Sequence, residues 1–340
     1  MEIRDAISRV INGQDLSGPE MQSVVRAIMQ GDATPAQIGG FLVGLRMKGE
    51  TVTEITAAAT VMRELAIRVD YSHPHLVDIV GTGGDASHTF NISTTAALVA
   101  AAAGCKVAKH HNRAASSRSG SADVLEKAGV RLGLAPEQVV ECVNRIGIGF
   151  MFAPAHHQAT RHVMGPRREL GTRTIFNLLG PLTNPARAPN ALIGVYTNDV
   201  LAPVAEVMKN LGAIHVCVVH SEDGLDEISI SAATNVAELK DGKITTYRIT
   251  PNQFGIDRGD RSALVVNNVD ESLQLMQQVL DNQPGPARNI VLFNAGAAIY
   301  VAGLAADLKA GIGQAGKVIA DGSARRILAD LVHLSSQFPA

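Results

Sequence analysis

The stretch from Leu76 to Ser93, LVDIVGTGGDASHTFNIS, constrains the fold more than any other part of the 340-residue chain. Its apolar start, Leu76 to Val80, predicts a short buried strand, and an alanine-rich helix should begin near Ser93. The loop between them has three glycines in four residues, at positions 81 to 84. Glycine permits positive φ and close approach of the backbone to a ligand, and the free N–H groups of the next helix favour an anion. The stretch therefore predicts a phosphate-binding loop.

Two other nucleotide-binding loops fit this stretch less well. Gly81, Gly83 and Ala86 have the spacing of a dinucleotide fingerprint, which requires a helix that opens within the glycines and an acidic residue at the end of the second strand. Here polar residues 87–91 delay the helix, and the next strand ends in Lys109-His110. The chain also has no GxxxxGK[ST] motif. A glycine turn without a ligand is the alternative for the loop taken alone.

Composition argues against several classes of protein. Lys and Arg number 30 against 32 Asp and Glu, so no global basic field attracts nucleic acid. Aromatic residues make up 4% with no Trp, too few to stack single-stranded bases. Cys105, Cys142 and Cys217 are widely spaced in apolar contexts, which predicts reduced thiols and a cytoplasmic protein. We also expect no signal peptide and no membrane span.

The chain divides into two regions of different periodicity. Residues 1–72 show only helical periodicity, with helix-start patterns at Ser17, Thr34 and Thr51, and predict a small helical domain. From 73 to 340, alternating strands and helices favour an α/β domain whose mainly parallel central sheet is covered by helices. The predicted strands are 76–80, 106–109, 148–152, 191–196 and 214–219, and the predicted helices are 93–103, 119–128, 136–146, 154–163 and 201–211.

Three features depart from this simple alternation. Residues 165–189 are rich in Arg, Gly, Pro and Asn, which is not the pattern of an interior element, and part of 165–190 should cross back to pack on the helical domain. Ala233 to Ile249 predicts antiparallel strands around Asp241-Gly242, and the chain from Glu271 onward predicts helices. The apolar faces of the first four helices exceed what they can bury alone, so some of that surface should meet the larger domain or a second subunit.

Candidate ligand-binding residues follow three of the predicted strands. The segment KHHNRAASSRSGS, from Lys109 to Ser121, places cations and hydroxyls between a strand and a helix, which suits a second phosphate. The acidic turn after the strand ending near Val219 includes Asp226 and Glu227. Adjacent carboxylates near phosphates are ligands that magnesium prefers, and Ser93 could add a hydroxyl. Each cluster taken singly could also be a solvated loop.

An arginine-rich segment could recognise a carboxylate. Arg167, Arg168 and Arg173 precede an apolar run, and a guanidinium in a cleft binds a carboxylate through two parallel hydrogen bonds. Arg168 and Arg173 could equally form surface pairs. The histidines at 156, 157 and 162 give poor support for a zinc site, because few other ligands accompany them.

Taken together, these motifs resemble the anthranilate phosphoribosyltransferase family, which has the class III nucleoside phosphorylase/phosphoribosyltransferase fold. The match consists of GTGGD, NIST at 91–94, KHxNR at 109–113, SS at 116–117, ADxLE, RxxLGxRTxFNxLGPLxNP and DGLDE at 223–227. One position departs, because the family usually has glycine where this chain has His111. If the backbone at His111 is left-handed, the histidine side chain adds about 1 kcal/mol of conformational strain. This strain would affect the binding of diphosphate.

The resemblance implies transfer of the phosphoribosyl group of 5-phosphoribosyl 1-diphosphate to the amine of anthranilate in tryptophan biosynthesis, by positioning and charge compensation without a side-chain nucleophile or base. It implies two magnesium ions at Ser93, Asp226 and Glu227, anthranilate at Gly81, Asn112 and Arg167, and a cytoplasmic homodimer formed through the helical domain. A pyrimidine nucleoside phosphorylase and a non-catalytic nucleic-acid-binding relative are the alternatives. The residues implied to hold the sugar diphosphate are Gly81, Gly84, Asp85, Thr89, Asn91, Ile92, Ser93, Thr94, Lys109, His110, His111, Asn112, Arg113, Ala114, Ala115, Ser116, Ser117 and Ser121.

Overall fold

The computed structural model describes residues 1–85, 87–113 and 118–339. Four helices come first: α1 (Ile3–Ile11), α2 (Gly18–Gln30), α3 (Pro35–Lys48) and α4 (Val52–Leu65). The predicted helix starts are confirmed, because Thr34 and Thr51 accept hydrogen bonds from the backbone N–H groups of Gln37 and Glu54, whose side chains accept in return. Among the described residues, no helix is both long and apolar enough to cross a membrane.

The rest of the chain alternates strands and helices around one sheet. Its elements are β1 (Leu76–Gly81), α5 (Ile92–Ala102), β2 (Lys106–His111), α6 (Ser121–Lys127), α7 (Pro136–Ile146), β3 (Ile148–Phe152), α8 (Ala153–His156), α9 (Arg161–Leu170), α10 (Ile175–Leu182), β4 (Asn190–Gly194), α11 (Leu201–Asn210), β5 (His215–Ser221), β6 (Thr234–Lys240), β7 (Lys243–Ile249), α12 (Val269–Leu280), α13 (Pro286–Val301), α14 (Leu308–Ala320) and α15 (Ser323–Gln337).

The strands form a seven-stranded sheet in the order β3-β2-β1-β4-β5-β6-β7. The first five strands are parallel, whereas β5 pairs antiparallel with β6 and β6 with β7. Parallel strands covered on both faces need apolar side chains on both sides, which explains why the first predicted strand is a nearly continuous apolar run. The predicted fold class, a small helical domain followed by an α/β domain with a mainly parallel sheet, is confirmed.

Two apolar layers cover the two faces of the sheet. Leu192 belongs to a layer that includes α5, α7 and α12 to α15, whereas its neighbour Ile193 belongs to the layer of α1 to α4 and α9 to α11, because successive strand residues face opposite ways. Part of the surplus apolar surface of the first four helices therefore meets the larger domain. Helix α4 makes this contact against α10 and α11.

Two expectations about residues 154–189 are wrong. The predicted single helix 154–163 is interrupted: α8 ends at His156, and His157 has φ −115° and ψ 57°, outside the helical region, before α9 begins at Arg161. The segment after α9 also contains an interior element, because α10 buries Leu178, Leu179 and Leu182 against the helical domain. Gly180 and Pro181 within α10 gave this stretch the composition of a loop.

A buried carboxylate near the antiparallel edge of the sheet should make the free energy of unfolding depend on pH in the acidic range. Glu238 accepts hydrogen bonds from His215 (2.8 Å), Tyr300 (2.7 Å) and Tyr247 (2.8 Å). Burial alone would raise the pKa of Glu238, but these bonds outweigh it and lower the pKa to about 2. A depressed folded-state pKa means that this contribution is complete above about pH 4.5 and is lost as the pH falls toward 2.

We therefore expect the difference in free energy of unfolding between the wild type and Glu238→Gln to fall by about 2 kcal/mol between pH 6 and pH 3. Urea denaturation across this pH range measures the difference. A difference that stays constant with pH would show that the carboxylate is not held in its ionised form.

Candidate active site

A cavity of about 630 Å³ opens at the carboxyl ends of β1 and β2. Its lining includes the glycine loop and the start of α5, the end of β2 with residues 112, 113 and 119–121, parts of α8 to α10, and the turn after β5. Met62 of α4 also lines it, so both domains contribute. The cavity occupies the position that parallel sheets offer to ligands.

The cavity brings together most of the residues selected from the sequence. It does not include Thr94, whose buried hydroxyl lies one residue further into α5 and has no hydrogen-bond partner among the described residues. Ala114, Ala115, Ser116 and Ser117 lie outside the described residues. The selected residues that line the cavity are Gly81, Gly84, Asp85, Thr89, Asn91, Ile92, Ser93, Lys109, His110, His111, Asn112, Arg113, Ser121, Arg167, Asp226 and Glu227.

The glycine loop has the conformation that its sequence requires. Gly83 and Gly84 have φ values of +63° and +76°, as inferred for a loop that needs positive φ. The N–H of Gly83 donates to Asp226 Oδ2 at 2.9 Å, and a Cβ on Gly81 would lie 2.5 Å from the same oxygen. Arg173 donates to the carbonyl of Gly84 and stacks 4.4 Å above the Tyr196 ring. The glycines therefore let the acidic turn come into contact with the loop.

The acidic turn separates into two pairs with different surroundings. Glu222 pairs with Arg248 at the surface, and Asp223 accepts hydrogen bonds from Ser229 and Ser231. Asp226 and Glu227 line the cavity instead. Only the second pair is available to a ligand.

Burial leaves the second pair without sufficient compensating charge. Burial, and then the nearby Asp85, raises the pKa of Asp226 to about 7, and burial followed by Asp226 raises the pKa of Glu227. Lys109 lowers the pKa of Glu227 but does not reverse this shift. Half-buried carboxylates beside a hydroxyl at Ser93 form an oxygen-only donor set, which suits a hard divalent cation such as magnesium. The residues present therefore fit this metal.

Lys109 is the buried cation of the site. Its side chain is 2% exposed, and Nζ contacts the carbonyl of Ile79 and lies 3.3 Å from Ser93 Oγ. Burial lowers the pKa of Lys109, whereas Asp78, Glu227 and Asp226 raise it. Lys109 therefore lies among three carboxylates at the floor of the cavity.

Asp78, which is not a predicted site residue, fixes the strand that carries Lys109. Its Oδ1 accepts from the N–H of His110 at 3.2 Å, and its Oδ2 accepts from Asn184 Nδ2 at 2.6 Å. Burial raises the pKa of Asp78 to about 6, against the effect of Lys109. An aspartate inside the apolar run LVDIV was the available sequence signal, since such a charge needs buried partners.

His111 does not have the strained backbone considered from the sequence. It ends β2 and is not among the residues with positive φ, so the cost of a left-handed histidine does not apply. Its ring packs edge-on against Phe150 with centroids 5.4 Å apart, and neither ring nitrogen has a hydrogen-bond partner among the described residues. Burial, and then Lys109, lowers the pKa of His111 to about 3, so the imidazole is neutral at pH 7.

The cations on the opposite wall differ in their availability. Arg167 lies 5.4 Å over the Phe176 ring, and burial lowers the pKa of its guanidinium. Arg113 lines the cavity but pairs with Asp123 and Glu126 of α6, both at 2.9 Å. His157 also lines the cavity and bonds the carbonyl of Thr183 at 3.0 Å, a contact that the sequence did not reveal. Arg167 is therefore the better placed of the two arginines to receive an anionic group.

A helical bundle joined to an α/β domain, with phosphate-compatible loops and paired acids facing one cavity, defines a group-transferring enzyme class. Residues 4–66 match the helical bundle domain of a glycosyl transferase family, and residues 73–325 match the a/b domain of the same family. The chain therefore has both domains of this family, with the helical bundle domain before the a/b domain.

Individual relatives narrow the family. Anthranilate phosphoribosyltransferase of Methylococcus capsulatus is 59% identical over 340 residues, which cover 100% of both chains. The crystal structure of the Thermus thermophilus enzyme of that name has a TM-score of 0.92 at 44% identity, with 98% of this chain and 99% of that chain covered. The Saccharomyces cerevisiae enzyme in complex with PRPP (5-phosphoribosyl 1-diphosphate) and Mg has a TM-score of 0.90 at 26% identity, with 99% and 98% covered.

The chain belongs to the anthranilate phosphoribosyltransferase family, whose members transfer a phosphoribosyl group to anthranilate in tryptophan biosynthesis. The family inferred from the sequence motifs is confirmed. Full-length identity to enzymes of this name also favours it over a nucleoside phosphorylase or a nucleic-acid-binding relative.

Proposed function

We propose that the cavity catalyses transfer of the phosphoribosyl group of 5-phosphoribosyl 1-diphosphate to the amine of anthranilate. The observation that carries this proposal is the convergence of the glycine loop, Lys109 and the pair Asp226 and Glu227 on one cavity. Anion-binding backbone, a buried cation and oxygen ligands for a metal are what a sugar diphosphate requires. The residues proposed to hold it are those that the family resemblance implies, with Thr94 contributing its backbone.

Magnesium, as two ions held by Ser93, Asp226 and Glu227, would supply positive charge to the departing diphosphate. Lys109 adds a fixed cation at the same floor, where low polarity strengthens its effect. The pairing of Asp78 with Asn184 and with the N–H of His110 keeps the end of β2, and hence Lys109, in register with β1. These groups stabilise charge that develops on the leaving group without forming a covalent intermediate.

Anthranilate would be placed by Gly81, Asn112 and Arg167. Arg167 receives its carboxylate, since a guanidinium binds a carboxylate through two parallel hydrogen bonds. The aromatic amine is neutral at pH 7, so its nitrogen attacks the anomeric carbon as the bond to diphosphate breaks, and no side-chain base is required beforehand. The nitrogen then loses its extra proton to water or to the released diphosphate, which leaves the neutral secondary amine. The rate enhancement comes from alignment of the two substrates and from charge compensation.

We further propose that residues 1–72 and 73–340 are the two domains and that the helical domain forms a cytoplasmic homodimer. Ile11 on α1 and Met47 on α3 are 65% and 82% exposed, and α1 and α3 pack together near them at Gly44. Such apolar side chains favour contact with a second copy. The three cysteines are free thiols, consistent with a reducing compartment.

Sedimentation equilibrium tests the proposed homodimer. The wild type should have twice the chain mass, and the Met47→Asp variant should have the mass of a monomer. A monomeric wild type would contradict the dimer.

The proposal is tested by following anthranilate fluorescence. The purified chain with 5-phosphoribosyl 1-diphosphate and magnesium should consume anthranilate, and omission of magnesium or of the sugar diphosphate should prevent this. Parallel reactions with thymidine and phosphate, and a salt-dependent mobility shift with a DNA probe, test the two alternatives. Unchanged anthranilate with cleavage of thymidine would overturn the proposal.

A further inference from the structure

One segment of the chain does not line the cavity but is hydrogen-bonded to several of the residues that do. We call residues 261–272 the bracing segment. Its Leu264 carbonyl accepts from the N–H of Phe90 and its Val266 N–H donates to the carbonyl of His88, both at 2.9 Å. Its Asn267 accepts a hydrogen bond from Arg118. Of the described residues that line the cavity, none belongs to the bracing segment, so its influence on substrates is indirect.

Ser272, the last residue of the bracing segment, holds the residue that begins α5. Its hydroxyl accepts from the N–H of Asn91 at 3.1 Å and donates to Asn91 Oδ1 at 2.7 Å. Ser119 Oγ donates to the same Oδ1 at 2.7 Å, and Asn91 Nδ2 donates to the carbonyl of Ser119 at 3.2 Å. Asn91 Oδ1 therefore accepts hydrogen bonds from two hydroxyl groups, and the side-chain amide of Asn91 links the start of α5 to the loop before α6.

The position of Ser272 gives these bonds a mechanical role. Ser272 is fully buried on α12 and lies 181 residues after Asn91 in the sequence. Without its hydroxyl, the N–H of Asn91 loses its Ser272 partner and Oδ1 keeps only the hydroxyl of Ser119, so Asn91 is no longer tied to α12. The first turn of α5, and the loop that Asn91 still holds through Ser119, would then no longer have a fixed position relative to α12. That position sets the shape of the phosphate-binding side of the cavity.

We propose that Ser272 is a positioning residue for the sugar diphosphate and acts through Asn91. This inference rests on the proposed function, because it concerns how the same cavity presents its anion-binding groups. Ser272 sets the geometry of the α5 N–H groups and of the Ser93 hydroxyl two residues further on. Binding of the sugar diphosphate depends on this geometry, whereas binding of anthranilate against Arg167 does not.

Kinetics of Ser272→Ala test the inference. We expect KM for 5-phosphoribosyl 1-diphosphate to rise about tenfold, which corresponds to about 1.4 kcal/mol of lost binding, while KM for anthranilate stays within about twofold. Ser272→Thr, which keeps the hydroxyl, should have a KM for the sugar diphosphate close to that of the wild type. Ser119→Ala should raise the same KM, and the double variant should show less than the sum of the two effects.

Ser335→Ala is the matched control. Ser335 is also a fully buried helical serine whose hydroxyl accepts a backbone N–H at 3.1 Å, from Arg131, but it does not touch the residues of the cavity. Both alanine variants should lose similar thermal stability, yet only Ser272→Ala should change KM for the sugar diphosphate. Equal KM changes in Ser272→Ala and Ser335→Ala, or an unchanged KM in Ser272→Ala whatever the effect of Ser119→Ala, would overturn the inference. An inactive wild type would instead refute the proposed function.

Discussion

Asp226→Asn combined with Glu227→Gln should reduce turnover by about 1,000-fold or more and yet raise thermal stability in the absence of magnesium. The two carboxylates are half-buried beside each other, and loss of solvation raises the pKa of both. Their neutralisation removes a desolvation and repulsion cost that the metal-free protein otherwise carries. The same change removes the oxygen charge that would hold the metal, so the gain in stability accompanies a loss of activity.

Thermal denaturation at pH 8 with and without magnesium, together with the anthranilate assay, measures both effects. Magnesium should raise the melting temperature of the wild type and leave that of the double variant unchanged, because binding stabilises only a protein that has the site. Glu222→Gln in the same turn is the control: its surface pair with Arg248 should contribute little, and activity should be retained. Turnover within about tenfold of the wild type in the double variant would contradict the metal assignment.

Lys109→Met should destabilise the protein by about 3 to 5 kcal/mol and reduce turnover by at least about 100-fold. The side chain is buried and its ammonium lies near Asp78, Asp226 and Glu227. Removing the cation leaves these carboxylates in a medium of low polarity with less compensating charge. Chemical denaturation and steady-state kinetics measure the two losses separately.

A compensating substitution separates the structural contribution of Lys109 from its catalytic one. Asp78→Asn in the Lys109→Met background removes one of the uncompensated charges, so it should restore part of the stability but none of the turnover. Lys106→Met is the control on the same strand, since Lys106 is only half-buried and its Nζ contacts the carbonyls of Val143 and Asn144. Recovery of activity in the double variant would show that Lys109 acts only on folding.

Local patterns in the sequence were sufficient to predict the strands and the position of the cavity. The apolar run before Gly81 and the glycines after it specify a strand and a loop within a few residues, and the strand ends at Lys109 and near Asp226 then converge because parallel strands share a carboxyl edge. Which acids of the turn face the cavity did not follow from the sequence spacing alone. That selection depends on Ser229, Ser231 and Arg248, which occupy Asp223 and Glu222.

The errors arose where distant contacts outweigh local composition. Helix α10 contains glycine and proline and reads as a loop, but it is stabilised by the helical domain that packs over it. Asp78 does lie in a buried strand, as predicted, but its role at the site was missed because its partner Asn184 comes 106 residues later. The concern about His111 assumed a left-handed backbone, whereas pairing of β2 with β3 holds the residue extended. Neither pairing is visible in a window of neighbouring residues.

The order of the strands explains why one chain can supply both the phosphate loop and its acids. The chain moves outward from β1 through β2 to β3 and then returns to β4 on the other side of β1, which creates a topological switch point between β1 and β4. Gly81 and Gly194 are paired there and leave the crevice without side chains, and Asp226 enters against both glycines. The crevice is thus filled from within the chain, so the reversal of winding direction itself determines where the carboxylates enter the cavity.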